Sequence, residues 1–342
     1  MNIADLQREN IKNLQPYACA RSEFKGNASV FLDANENPMN APFNRYPDPL
    51  QVTLKEKIAA LKGVRPTQIM LGNGSDEPID LAIRIFCEPK EDNIISVDPT
   101  YGMYEVSADI NNVAYRKVLL NDDFSLDAAK VLEKVDSHTK LIFLCSPNNP
   151  TANLLDKAQM RRIIEEFQGI VIVDEAYIDF APEASWLKEL DKYPNLLVLQ
   201  TFSKAWGLAS VRCGMAFASE EIVGFFNKVK PPYNLNFLTQ NFVLKALDQA
   251  ERTQEWVEML LEQRRIMVEA LQVLPCILHI FPSDANFILV KTTDATGIYQ
   301  SLIQQGIIVR NRSSVSLCNG CLRITIGTAQ ENAMLIEAMR KL

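Results

Sequence analysis

The sequence predicts an α/β fold: a large domain built on a mixed, mostly parallel sheet, followed by a smaller α+β C-terminal domain. Three observations predict it. Between about residues 50 and 220, short apolar β-branched runs alternate with amphipathic stretches, as a parallel sheet covered by helices on both faces requires. From about residue 234 that alternation gives way to a long stretch rich in Glu, Gln, Arg and Leu, with smaller strand and helix patterns beyond it. At 342 residues the chain is long enough for two domains with substantial cores.

Taken in order, residues 1–40, with Pro16, Pro38 and several Asn, read as an arm that partly joins the small domain. Residues 53–62 read as a helix stopped by Gly63, and residues 75–87 as another with acids in its first turn. The parallel strands are expected at 94–97, 141–145, 170–174, 196–201 and 213–218. Residues 238–271 read as one helix linking the domains, so the large domain spans 41–250 and the small one 251–342, with the boundary inside that helix. Strands at 287–291, 307–310 and 322–326 then surround a helix near 295–305, and the last helix opens at Thr328-x-x-Glu331, a capping-box pattern.

Composition narrows the function. Asp plus Glu total 42 against 35 Lys plus Arg, a net charge of −7, with no long basic run, which argues against nucleic acid as a partner. With 47% hydrophobic and 23% charged residues the chain is neither disordered, collagen-like nor a coiled coil. Seven cysteines, an odd number and few for the length, fit a reducing cytoplasm. Asp5, Arg8 and Glu9 interrupt any leader, and no apolar run approaches a membrane span, so a soluble cytoplasmic protein is expected. Only His138 and His279 are available, leaving little for a Ser-His-Asp or histidine-metal mechanism. Cys318-Asn-Gly-Cys321 has no second pair to complete a zinc site and reads as a turn with two ordinary thiols; no metal is expected.

The loop Gly72-Asn-Gly74-Ser-Asp-Glu77 lacks the third glycine of a dinucleotide fingerprint. Either it offers an isolated phosphate site, through glycines and N–H groups at a helix N-terminus, or Ser75 simply caps a helix whose dipole Asp76 and Glu77 balance. More telling are polar residues at the carboxyl ends of successive strands, where open α/β sheets bind ligands. Strand 141–145 runs into Asn149, strand 170–173 into Asp174 and Tyr177, and strand 196–199 into Thr201, Ser203 and Lys204, with Arg212 following. A Lys, an Asp, a Tyr, an Asn and an Arg so placed suit pyridoxal 5′-phosphate. That cofactor needs an amine for a Schiff base, a carboxylate facing the pyridine nitrogen, donors at the phenolate oxygen, an aromatic face and a phosphate clamp.

Eight motifs stand in order: LDANENP (32–38), RYPDP (45–49), GNGSDE (72–77), DPTYGMY (98–104), CSPNNPT (145–151), VDEAYIDF (173–180), TFSKAWGLASVRCG (201–214) and LRITIGT (322–328). With them the chain resembles, over essentially its whole length, the fold-type I pyridoxal-phosphate-dependent aminotransferases, most closely the histidinol-phosphate aminotransferase family. It departs from the family at Ala152, where a glycine is usual.

The resemblance implies that Lys204 carries the cofactor and moves the proton, that Asp174 pairs with the pyridine nitrogen, that Tyr177 and Asn149 bond the phenolate oxygen, and that Tyr101 stacks on the ring. It implies a phosphate clamp of Ser75, Asp76, Ser203, Arg212 and Thr201. Arg310 and Arg323 would receive the substrate anion, with Tyr46 donated by the neighbouring subunit of a homodimer. The implied activity is transamination of L-histidinol phosphate with 2-oxoglutarate in histidine biosynthesis. An aromatic aminotransferase or an L-threonine O-3-phosphate decarboxylase would share most of these motifs. A cofactor-binding sensor domain of a transcription regulator would need a DNA-binding domain, and only a short arm precedes the motifs.

Overall fold

The computed structural model of the protein describes residues 2–19, 26 and 28–342. Its large sheet has seven strands: β1 Ile69–Asn73, β2 Asn93–Asp98, β3 Ala114–Leu119, β4 Thr139–Cys145, β5 Ile170–Asp174, β6 Leu196–Thr201 and β7 Cys213–Phe217. They lie in the order β1-β7-β6-β5-β4-β2-β3. All neighbours run parallel except β7, which is antiparallel to both β1 and β6. Residues 213–218, expected as a parallel strand, therefore run the other way. The reason is length: a parallel return needs a crossover of a dozen or more residues, and the connection 202–212, with no more than a 3-10 turn at Ala209–Val211, is shorter.

Alternate residues of the central strands feed two clusters, one on each face. Ile95, Ile142, Leu144, Val171 and Val173 point one way, and Ile94, Leu141, Phe143, Ile170 and Ile172 the other. Strand β1, short and interrupted by Gly72, and edge strand β3, with a half-exposed Ala-Tyr-Arg-Lys pattern, lack this apolar continuity. They were not legible as strands for that reason.

Beyond a single helical turn in the arm, Glu9–Lys12, the helices of this part are α1 Val52–Lys62, α2 Asp76–Phe86, α3 Met103–Ile110, α4 Ala128–Glu133, α5 Lys157–Glu166 and α6 Glu220–Val229. Gly63 closes α1 at φ 69°, as the sequence predicts. The single helix expected over 238–271 is two, α7 Phe237–Leu247 and α8 Ala250–Leu271, with Gln249 out of helical geometry at φ −114°, ψ 30°. The break follows from α1: Lys57 donates to the Leu244 carbonyl and pairs with Asp248, satisfying the end of α7.

Helix α8 joins two cores. Val257 belongs to one cluster of the large sheet, whereas Met267 and Leu271 pack with Ile288, Val290, Leu322 and Ile324 of a second sheet. That sheet is antiparallel in the order β10-β11-β9-β8: β8 Ile277–Ile280, β9 Phe287–Thr292, β10 Arg310–Asn311 and β11 Cys321–Thr325. Helices α9 Ala295–Gln304 and α10 Ala329–Arg340 cover it, α10 opening with the Thr328/Glu331 capping box. The strand expected at 307–310 is displaced: pairing begins only at Arg310. The arm, expected to join the small domain in part, buries Ile3 and Ile11 in a cluster of the large sheet. Among the described residues no helix is long and apolar enough to cross a membrane. The thiols of Cys87, Cys145, Cys213, Cys276, Cys318 and Cys321 are free.

Candidate active site

A cavity of about 600 Å³ opens where β4, β5 and β6 end, and β10 and β11 of the second sheet close its other side. Asp174, the last residue of β5, is 2% exposed. Its Oδ2 accepts the Tyr104 hydroxyl at 2.7 Å and its Oδ1 the Ala176 N–H at 3.0 Å. Burial raises its pKa above the usual carboxylate value, and the two hydrogen bonds oppose the rise. Lys204 follows β6, its Nζ 5.4 Å from the centre of the Tyr177 ring. Burial lowers its pKa, and Arg323 lowers it further. Tyr177 is itself buried, edge-on to Phe287, and burial drives its hydroxyl pKa upward.

Asn149 is held by its neighbour Asn148, whose amide donates to the Pro99 carbonyl at 2.9 Å and to Thr151 Oγ1 at 2.8 Å. The turn that follows places Ala152 at φ 71°, and its N–H reaches the Asn148 carbonyl at 2.8 Å. An alanine thus takes the left-handed conformation in which glycine is favoured, and the turn is kept.

Ser75 and Asp76 stand at the start of α2. The Ser75 hydroxyl makes no capping bond, and Glu77 reaches back to Asn73 instead, so the simple N-cap expected as one alternative is not formed. Asp76 accepts the Tyr101 hydroxyl at 3.0 Å and pairs with Arg212 at 3.3 Å. Arg212 sits at φ 52° just before β7, and Gly214 lets that strand touch the loop: a Cβ there would lie 2.3 Å from Gly74 C and 2.4 Å from Ser75 N. Thr201 and Ser203 share a hydroxyl pair at 3.0 Å beside them.

From the second sheet, Arg310 faces Arg323 in register across β10 and β11. Arg323 Nη1 donates to Asn149 Oδ1, and its guanidinium lies 5.4 Å from the Phe287 ring centre. All the site residues expected from the sequence but one line this cavity. Tyr46 does not: it is 51% exposed and stacks at 4.5 Å on Tyr233 in a separate groove with Phe43 and Phe237.

Sequence reasoning missed three residues. Tyr104 is one turn past Tyr101 on α3, a spacing that could have flagged it. Arg312 lines the cavity two residues after Arg310. Glu175, next to Asp174, is 1% exposed and lies outside the cavity. It accepts Ser185 Oγ and Gln200 Nε2 at 2.8 Å each and the Trp186 N–H at 2.6 Å, while burial pushes its pKa to about 7.

The family model described as aminotransferase class I and II matches residues 23–339. The chain is 56% identical to a histidinol-phosphate aminotransferase of Bacteroides fragilis, over 99% of both chains. Its fold is that of the histidinol-phosphate aminotransferase of Clostridium acetobutylicum, with TM-score 0.81 at 23% identity over 90% of this chain and 97% of that one. The Sinorhizobium meliloti histidinol-phosphate aminotransferase in complex with pyridoxal-5′-phosphate superposes with TM-score 0.78 at 23% identity, covering 87% and 82%.

Proposed function

The chain belongs to the class I and II aminotransferase family, and from that premise we propose that it transfers the amino group of L-histidinol phosphate to 2-oxoglutarate, giving imidazole acetol phosphate and L-glutamate in histidine biosynthesis. The observation that carries the reading is the opposed pair Arg310 and Arg323, in the cavity that also holds Lys204 and Asp174. Two guanidinium forks suit an anion of more than one charge.

Pyridoxal 5′-phosphate fits the residues present. At the floor, the buried Asp174 carboxylate has neutral donors on both oxygens but no ion pair among the described residues; a protonated ring nitrogen is the partner it lacks. At the other end, the first N–H groups of α2, the uncommitted Ser75 hydroxyl, Ser203, Thr201 and Arg212 form a cradle for a phosphate. Bound there, the cofactor supplies an electron sink for negative charge developing at the donor α-carbon.

The chain's own residues do the rest. Lys204 carries the cofactor and moves the proton at that carbon, its basicity reduced by burial and by Arg323 so that the neutral amine is accessible. Asp174 retains the ring-nitrogen proton. Tyr177 donates to the phenolate oxygen together with Asn149 Nδ2, since Asn149 Oδ1 is taken by Arg323. Tyr101 offers its ring face. Arg323 receives the glutamate α-carboxylate, and with Arg310 the phosphate of histidinol phosphate.

In this reading residues 41–250 form the cofactor domain and residues 251–342 the small domain. The active unit is a homodimer: Tyr46 lies outside its own cavity beside exposed Phe43 and Leu238, and so serves the site of the other subunit. A cytoplasmic location accords with the six free thiols other than Cys19.

The test is kcat/KM for histidinol phosphate, phenylalanine and threonine phosphate in wild type, Arg310→Ala and Arg323→Ala. Loss of one charged fork corresponds to about one to two decades. Arg310→Ala should lose that much on histidinol phosphate and much less on phenylalanine, and Arg323→Ala should impair both donors and glutamate. An equal loss on every donor in Arg310→Ala would refute the substrate assignment.

A further inference from the structure

Arg312 has no place in the site as read so far, yet it lines the same cavity. Its backbone N–H donates to the Cys321 carbonyl at 2.8 Å, continuing by one step the register in which Arg310 faces Arg323 and Asn311 faces Leu322. Residues two apart in extended pairing share a face, so β10 and the residue just after it present two guanidinium groups on the side where β11 presents the third. Like charges opposed across a ladder are destabilising, and among the described residues none of the three arginines pairs with a carboxylate. Arg312 Nε is moreover buried with no hydrogen-bond partner. Burial, then the neighbouring Arg323 and Arg310, hold its pKa below the usual arginine value.

The segment carrying it is tied down. The Val315 N–H returns to the Arg312 carbonyl at 2.9 Å, the Cys318 N–H to Val315 at 3.0 Å, and the Cys321 N–H to Cys318 at 3.0 Å through Gly320 at φ 72°. Three like charges on a fixed hairpin, one with an orphaned donor, lack a multivalent anion. A single carboxylate engages Arg323 and leaves Arg310 and Arg312 side by side without an anion; a phosphate dianion has oxygens enough for three forks.

We infer that Arg312 is a specificity-determining residue whose guanidinium completes, with Arg310 and Arg323, a three-sided cradle selecting a phosphorylated donor over its unphosphorylated counterpart. The inference rests on the reading of the donor as histidinol phosphate. Its test compares kcat/KM for L-histidinol phosphate with that for L-histidinol, the same amine without the phosphate, in wild type, Arg312→Gln and Arg312→Lys. The ratio should fall about ten- to a hundredfold in Arg312→Gln, mainly through KM for the phosphorylated donor, and by less in Arg312→Lys, which keeps the charge but not the fork. Inorganic phosphate, as an inhibitor competing with glutamate, should weaken about tenfold in Arg312→Gln. Distortion of the site would lower both donors together and leave the ratio unchanged, which would overturn the inference. A wild-type ratio near one would instead overturn the functional reading itself. If Arg312→Gln does not fold, the donor ratio and the phosphate inhibition of Arg312→Lys decide: no change in either overturns the inference.

Discussion

Replacing Glu175 by Gln should change how stability depends on pH, by an amount the structure allows to be worked out. Glu175 is fully enclosed by three donors and holds its proton up to about pH 7, against 4.5 for an ordinary glutamate. Below pH 4.5 the folded and unfolded chains both carry this proton and its contribution is fully present. Between pH 4.5 and 7 the unfolded chain gives the proton up while the folded chain retains it, so stability falls as pH rises, by about 1.4 kcal/mol per pH unit. Over that window the total is roughly 3 kcal/mol, and above it the contribution is flat. Glu175→Gln has no proton to lose. Whatever constant offset its amide introduces by facing one of the three donors, the wild type should gain on the variant by roughly 3 kcal/mol on going from pH 7.5 to 4.5. Urea unfolding of the two proteins at matched concentration and cofactor loading measures the gap. Infrared difference spectra supply an independent readout: a protonated-carboxyl band that titrates near neutrality in wild type and is missing from the variant. Parallel stability curves would refute the argument.

Three further outcomes can be checked. Borohydride reduction of the loaded enzyme and peptide mapping should place the cofactor mass on Lys204, and a label on another lysine would overturn its assignment. Mixing Lys204→Ala with Tyr46→Ala subunits should regenerate some sites holding both native residues; no recovery after verified exchange would contradict a shared site. Gly214→Ala should weaken pyridoxal phosphate binding by at least about tenfold, roughly 1.4 kcal/mol, because its methyl meets backbone atoms of Gly74 and Ser75 that must move. An unchanged dissociation constant would show that this contact does not shape the phosphate loop.

What the sequence disclosed was whatever short-range patterning carries. Strands β2, β4, β5 and β6 are continuous apolar runs, and the residues at their ends, Asn149, Asp174, Thr201 and Lys204, were found because each run stops at a polar residue. The capping box at Thr328 and the glycine stop at Gly63 are equally local. What escaped depends on partners distant in sequence. The direction of β7 is set by the length of its connection and by pairing with β1, and the break before α8 by a lysine on α1. Tyr104 looks like any buried helix tyrosine until Asp174, seventy residues on, is placed beneath it. Arg312 becomes conspicuous only when the β10–β11 register stacks it with two other cations.

The reversal of β7 also divides the molecule for anyone who wishes to rebuild it. Because β5 and β6 finish at the end from which β7 departs, the 202–212 connection is a loop between paired strand ends, carrying Lys204 near one of them and Arg212 at the other. Lengthening it would uncouple the amine from the phosphate cradle even if every strand still formed. The opposite rim of the sheet, where β2, β4, β5 and β6 begin, contributes nothing to the cavity. Its exposed turn around Ser137 is where a circular permutant, a reporter peptide or a tether to another enzyme could be grafted while the chemistry went on at the far side.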